Sequence, residues 1–186
     1  MELNKKNIKA IKKNDRRVIL QLYNFTFNKL MSVAVRYFVN EEDRVTIVNN
    51  SFMKIIDNID KFTIGTYYFS WVNRITYNEI VNFHRKEKKY KSVFNFETYD
   101  VAINTYSDDN IEDNSWIDEA ELLALVLKLP KSTRIVFDMY AIEGGYKYKD
   151  IAECLDVSVE TVKWHLKQAR KSLKAEIINL KQKEYA

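Results

Sequence analysis

The side chains best suited to reading a nucleic acid lie between Tyr148 and Lys171. Ile151, Ala152 and Leu155 give a short first helix an apolar face, and Ala152 is small enough for a second helix to cross close by. Asp156 stands at the turn, where left-handed backbone is needed; glycine adopts it most easily, and aspartate can. Val157 plugs the corner, and Ser158 offers an N-cap oxygen to a second helix. In that helix Val162, Leu166 and Ala169 point inward at helical spacing. Glu160, Thr161, Lys163, Trp164, Lys167, Arg170 and Lys171 are left outside or at the flank, with His165 as a further polar surface position. A helix-turn-helix presents such a set to the major groove, its N-terminal half to base edges and its basic end to phosphates. A plain helical hairpin with a solvated basic face would use the same residue types; the Ser158 cap and the small-residue turn favour DNA binding.

Catalysis has little to work with. His84 and His165 are the only histidines, each in a basic helical stretch, and no nucleophile or metal-ligand cluster accompanies them. The expectation is a protein with no enzymatic activity, cofactor or metal. Cys154 is the single cysteine, which excludes an internal disulfide and suits a reducing cytoplasm. A buried helix position fits it better than a redox thiol.

The elements that must position these groups are helices. The chain has 186 residues with 3 Gly and 1 Pro, too few breakers for the tight turns of a sandwich or barrel. Hydrophobic residues make up 46%, enough for one ordinary domain or two small ones. Leu20, Tyr23, Phe27, Leu30, Ala34 and Tyr37 predict one face of a first helix, with Asp15 as its N-cap. Val45, Val48, Phe52, Ile55 and Ile59 predict a second helix after Asn40. A loop over 60–66, with Gly65 as breaker, leads to a third helix from near Tyr67 that carries Trp71, Ile75 and Ile80 into the basic stretch 84–89. Three helices would thus make a first domain over residues 1–93. Core packing accounts for Phe69 and Trp71, whereas Phe62, Tyr67 and Tyr68 stand in a loop beside polar groups.

Residues 94–118 lose the helical period and predict a flexible linker. Leu122, Leu125, Val126 and Leu129 then predict a short helix stopped by Pro130, and residues 134–142 another ended by Gly144-Gly145. The expected fold is all-α: two small helical domains, 1–93 and 119–186, joined by an acidic linker over 94–118, the second domain ending in the helix-turn-helix. Net charge is +4, and its distribution says more. Residues 1–96 hold 18 Lys/Arg and 9 Asp/Glu, residues 97–122 hold no Lys/Arg and 9 Asp/Glu, and residues 123–186 hold 12 and 8. Basic blocks suit a polyanion, because neutralising phosphates releases counterions; ordinary surface lysine would look alike. No apolar run approaches a membrane span, and the charged stretch 1–17 has no signal core, so a cytoplasmic protein without membrane insertion is expected.

Leu129-Pro130, Arg134, Phe137, Tyr140, Glu143-Gly144, Asp150-Ile151-Ala152-Glu153, Thr161-Val162-Lys163 and Ala169-Arg170 with Leu173 follow one another in a recognisable order. Over about fifty residues, with one extra glycine at Gly144-Gly145, this order and spacing resembles region four of the extracytoplasmic-function sigma factors. Phe52, Phe62, Trp71-Val72, Ile75, Asn78 and Arg85 resemble region two of the same family, and the linker falls where the family has one in place of a full third domain.

The resemblance implies a bacterial sigma factor that directs RNA polymerase core enzyme to specific promoters and assists their opening. Its implied partners are core polymerase and promoter DNA, with an anti-sigma factor as a further candidate. The set Glu160, Thr161, Lys163, Trp164, His165, Lys167, Arg170 and Lys171 would meet the upstream minus-thirty-five element. Phe62, Tyr67 and Tyr68 would capture a base flipped from the minus-ten element, stacking being worth about 1–3 kcal/mol per base. Asn73, Arg74, Asn78, Asn82, Arg85 and Lys86 would line the adjoining helix, while Lys88, Lys89 and Lys91 attract phosphate without specificity. Asp43, Asn49, Asn50 and Phe52 would meet the polymerase.

There are departures from the family pattern. The acidic pair and Gln that the family carries before its Phe fall here on Val45, Thr46 and Asn49, with Glu41-Glu42-Asp43 a turn earlier. Asn82 stands where Asp is common, His165 and Gln168 where Arg is common, and Asp156 in place of the turn glycine, so promoter preference does not carry over. The acidic linker fits either a solvated tether or a segment threading the polymerase channels with its charge mimicking nucleic acid. The alternative function is a helix-turn-helix regulator with a helical N-terminal sensing or interaction domain. Such a sensor needs a ligand pocket or phospho-acceptor, and the sequence displays neither.

Overall fold

The structure, a computed structural model, describes residues 3–86, 118–143 and 146–184, apart from the side chains of Arg85, Lys86, Glu119, Lys183 and Glu184. The described residues form helices and no strands, as the scarcity of breakers predicts, and they fall into two compact units. The expected linker lies outside the described residues except for Asp118, as do Gly144 and Gly145.

The first unit comprises α1 (Lys5–Lys12), α2 (Arg16–Ala34), α3 (Glu41–Asp57), a 3-10 turn (Ile59–Lys61) and α4 (Tyr68–Lys86). Polar caps start three of them: Asn4 Oδ1 accepts from the Asn7 N–H at 3.0 Å, Asp15 Oδ1 from Arg17 at 3.0 Å, and Asn40 Oδ1 from Glu42 at 2.9 Å. Helix α1 corrects the expectation of three helices. It is too short and charged to announce itself by periodicity, and it is held by one buried side chain, Ile11. Lys12 also pairs with Asp60 at 3.0 Å; the hydrogen bond and the lysine charge hold that carboxyl below its ordinary pKa.

The core face of α2 differs from that expected, and that of α3 follows expectation at Val48, Phe52 and Ile55 but not at Val45. In α2 the buried stripe is Leu22, Thr26, Leu30, Val33 and Ala34, whereas Leu20 is 59% exposed. Two overlapping stripes satisfy helical spacing here and share Leu30 and Ala34, so periodicity alone does not choose between them. In α3 the core takes Ile47, Val48, Ser51, Phe52 and Ile55, and Val45 faces solvent. Opposite them, α4 buries Val72, Thr76, Tyr77, Ile80 and Val81.

The second unit comprises α5 (Glu119–Lys128), α6 (Lys131–Phe137), a π-helical turn (Asp138–Ile142), α7 (Tyr148–Leu155) and α8 (Val159–Glu184). Asp118 caps α5 by accepting from the Glu121 N–H at 2.7 Å, and Pro130 separates α5 from α6 as expected. The helix expected over 134–142 starts earlier, at Lys131, and widens into the π turn. Buried Arg134 donates to the Leu127 carbonyl at 2.9 Å, satisfying an acceptor at the end of α5. Leu125 and Val126 of α5 and Leu129 just after it form a core with Ala169 and Leu173 of α8, flanked by Phe137, Ile177 and Leu180. That packing anchors the C-terminal half of α8 and leaves its first turns to α6 and α7.

Candidate nucleic-acid interface

The turn between α7 and α8 has the geometry its residues call for. Asp150 accepts from the Lys147 N–H at 3.0 Å and so starts α7. Ile151, Ala152, Cys154 and Leu155 are buried, Cys154 as a packed helix position. Asp156 adopts left-handed backbone, φ 57 and ψ 52, which ends α7 and lets the Val157 N–H bond back to the Ala152 carbonyl at 3.0 Å. Ser158 Oγ then accepts from the Thr161 N–H at 3.0 Å, capping α8.

Steps of about 100° per residue divide α8 into two sides. Glu160, Lys163, Trp164, Lys167, Arg170 and Lys171 fall within one arc of about 120°; all are exposed except half-buried Trp164. Exposed Lys174 extends the arc and was missed, being one turn beyond the motif. Thr161 and His165 depart from expectation: they are 3% and 1% exposed. The same rotation carries them to the shoulder facing α6, where His165 Nδ1 lies 3.0 Å from Thr133 Oγ1. Burial pulls the imidazole pKa down to about 4, so it is neutral near pH 7. Neither side chain can reach a base edge from there. Trp164 packs edge-on against the His165 ring, centroids 4.8 Å apart at 83°.

In the first unit, the last turn of α3, the 3-10 turn and the outer face of α4 enclose a groove of about 430 Å³. Trp71, Arg74, Asn78 and Asn82 line it from α4; Lys54, Asn58 and Lys61 line it from the other side. Lys54 is ion-paired with Glu79. A cationic groove with an aromatic wall and three amides suits a single nucleic-acid strand, offering charge to the backbone and a face to a base. Lys54, Asn58 and Lys61 were missed because they precede α4 in sequence and reach it only where α3 crosses it. Asn73 departs from expectation: it is 2% exposed on the inward side of α4, in register with Thr76, Tyr77 and Ile80. The side chains of Arg85 and Lys86 lie outside the described residues, as do Lys88, Lys89 and Lys91.

The three expected stacking residues separate. Phe62 and Tyr68 are 6% and 9% exposed and belong to the core. Tyr68 meets Phe62 edge-on at 5.6 Å, stacks on Phe25 at 5.8 Å and lies against Phe69 at 5.4 Å; Phe62 also contacts Trp71 at 5.5 Å. Thr26 Oγ1 is 2.7 Å from the Leu22 carbonyl and 3.0 Å from the Tyr68 hydroxyl. Its one proton serves the carbonyl, so Tyr68 donates to Thr26. Burial pushes the Tyr68 pKa up to about 12. Tyr67 is 70% exposed on the loop, its ring beside Phe69, at the end of a bend where Gly65 has φ 94. Helix formation from Tyr68 onward turns that ring inward and leaves Tyr67 alone outside.

On α3, Asn49 and Asn50 are exposed with Glu42, Val45, Thr46 and Met53, and Asp43 is half-buried. Phe52 departs from expectation as a polymerase contact. It is 6% exposed and packs edge-on to Tyr23 at 4.9 Å, so it supports the exposed face from behind.

The family described as Sigma-70, region 4, matches residues 119–173. The chain is 25% identical over 177 residues to the ECF RNA polymerase sigma-E factor of Haemophilus influenzae, covering 91% of this chain and 93% of that protein. It is 25% identical over 183 residues to the ECF RNA polymerase sigma factor SigW of Bacillus subtilis, covering 95% and 97%. Its fold is similar to that of CnrH, solved in complex with the cytosolic domain of CnrY: TM-score 0.53, 19% identity, 93% of this chain and 96% of that one. It is similar also to the sigma factor RpoE of Bartonella quintana, solved with the anti-sigma factor NepR: TM-score 0.52, 19% identity, 90% and 98%.

Proposed function

We infer the working of each unit from one premise: this chain is an RNA polymerase sigma factor of the extracytoplasmic-function type, a subunit that directs the core enzyme in transcription initiation. The second unit lays α8 in the major groove of an upstream promoter element. The observation that carries this is the exposed arc of Glu160, Lys163, Trp164, Lys167, Arg170 and Lys171, opposite a buried side that fixes the helix on α6. Glu160, Lys163 and Trp164 address bases; Arg170 and Lys171 address phosphates.

The first unit holds a melted minus-ten strand in the groove of Trp71, Arg74, Asn78 and Asn82, with Tyr67, exposed on the loop before α4, as a further stacking face. Asn49, Asn50 and their exposed neighbours on α3 meet the core polymerase. The protein performs no reaction of its own and acts in the cytoplasm, where the core enzyme is. Among the described residues no helix is long and apolar enough to cross a membrane. Bartonella quintana RpoE was solved with an anti-sigma factor, and we extend that class of partner to this chain.

Run-off transcription with bacterial core polymerase tests the proposal. Promoter-specific transcripts that need this chain, at one copy per core enzyme, are expected. A stable dimer that binds DNA alone and does not co-purify with core polymerase would overturn it.

A further inference from the structure

We propose that Trp164 is the specificity-determining side chain of α8, its indole meeting the 5-methyl group of a thymine in the upstream element. This rests on the promoter reading given above and deepens it. Trp164 is the only Phe, Trp or Tyr in α8. It lies in the N-terminal half, which reaches base edges in a docked recognition helix. The buried side of that half is made by Val162, Leu166 and Ala169, and the half-buried indole is not among them.

Its neighbours on the arc, Glu160, Lys163, Lys167 and Lys171, are all charged. They can meet phosphates or base donors and acceptors. The indole has one polar atom, the Nε1–H, which can donate to a phosphate oxygen; its broad apolar face has no such partner, and the apolar group on the major-groove edge of DNA is the thymine methyl. The edge-on packing against His165, itself buried and 3.0 Å from Thr133, holds the indole in one setting before DNA arrives. That lowers the ordering cost of the contact.

The test uses holoenzyme assembled with bacterial core polymerase and a duplex library randomised over the upstream element. Wild type is expected to enrich a thymine at one position, and Trp164→Ala to lose that preference while keeping the others. Replacing that thymine by deoxyuridine removes only the methyl group. It should weaken wild-type binding about fourfold, as for one buried methyl, and leave Trp164→Ala unchanged. No effect of the uracil swap on wild type overturns the proposal, as does a Trp164→Ala loss spread evenly over all sequences, which marks a backbone contact. The uracil measurement needs only wild type, so a null result there overturns the proposal even if the variant fails to fold. If wild-type holoenzyme enriches no upstream sequence at all, promoter recognition by α8 falls, and this proposal with it.

Discussion

The Nδ1 atom of His165 lies 3.0 Å from the hydroxyl oxygen of Thr133, with both side chains buried, so α8 is tied to α6 through its second turn. The tie depends on a neutral imidazole, because protonation would place a charge in a site that burial makes unfavourable.

Acid should therefore loosen the second unit. The imidazole titrates near 6.5 in the unfolded chain and at about 4 in the folded one, so the unfolded state takes up the proton first as pH falls. Its contribution is full above about pH 6.5 and is lost toward pH 4, at up to about 1.4 kcal/mol per unit. Urea unfolding of the whole chain at several pH values measures this slope, and His165→Gln should flatten it. Parallel slopes in the two proteins would count against the buried neutral histidine.

Lys163→Ala and Arg170→Ala should both weaken upstream-element binding and differ in character. Arg170 lies two turns along the arc, toward phosphate; its loss should weaken all sequences alike and reduce the salt slope by about one. Lys163 sits near the base edges, and its loss should also relax preference at one position. Competition titrations at several salt concentrations separate the two. Unchanged affinity in both variants would mean that α8 faces something other than DNA.

Tyr67 and Tyr68 are adjacent in sequence and should behave oppositely. Tyr68→Ala empties a site among four aromatic rings and should cost about 3–5 kcal/mol of stability. Tyr68→Phe removes only the bond to Thr26, at about 1 kcal/mol. Tyr67→Ala should leave stability within about 0.5 kcal/mol yet weaken binding to a pre-melted promoter by about 1–3 kcal/mol. Thermal unfolding and binding to closed and pre-melted duplexes distinguish these outcomes. If Tyr67→Ala binds the pre-melted promoter normally, the groove around Trp71 does the stacking alone.

On α3, Phe52→Ala should destabilise the first unit by about 3–5 kcal/mol through the cavity left beside Tyr23. Asn49→Ala and Asn50→Ala should leave stability unchanged and weaken association with core polymerase. Sedimentation with core enzyme, set beside melting curves, checks both. A stable Phe52→Ala chain that fails to bind core polymerase would show the ring to be in the interface after all.

Much of this protein was legible from residue order. The scarcity of glycine and proline leaves helices as the available elements, and caps such as Asp15, Asn40 and Ser158 mark where they start because local hydrogen bonds need only neighbours in sequence. The left-handed turn at Asp156 and the lysines of α8 were equally local. Which side of a helix meets the core is not local. Leu20 and Leu22 head competing stripes in α2, and only packing against α3 and α4 buries Leu22. Thr161 and His165 are polar like their DNA-facing neighbours, yet both are buried; His165 meets Thr133, some thirty residues earlier in the chain, which no local pattern announces. Lys54, Asn58 and Lys61 join Trp71 in one groove because α3 crosses α4 there. Side-chain chemistry and hydrogen bonds between near neighbours are properties of a short stretch of chain, whereas burial is a property of the surfaces that meet, and those surfaces are brought together only by the tertiary fold.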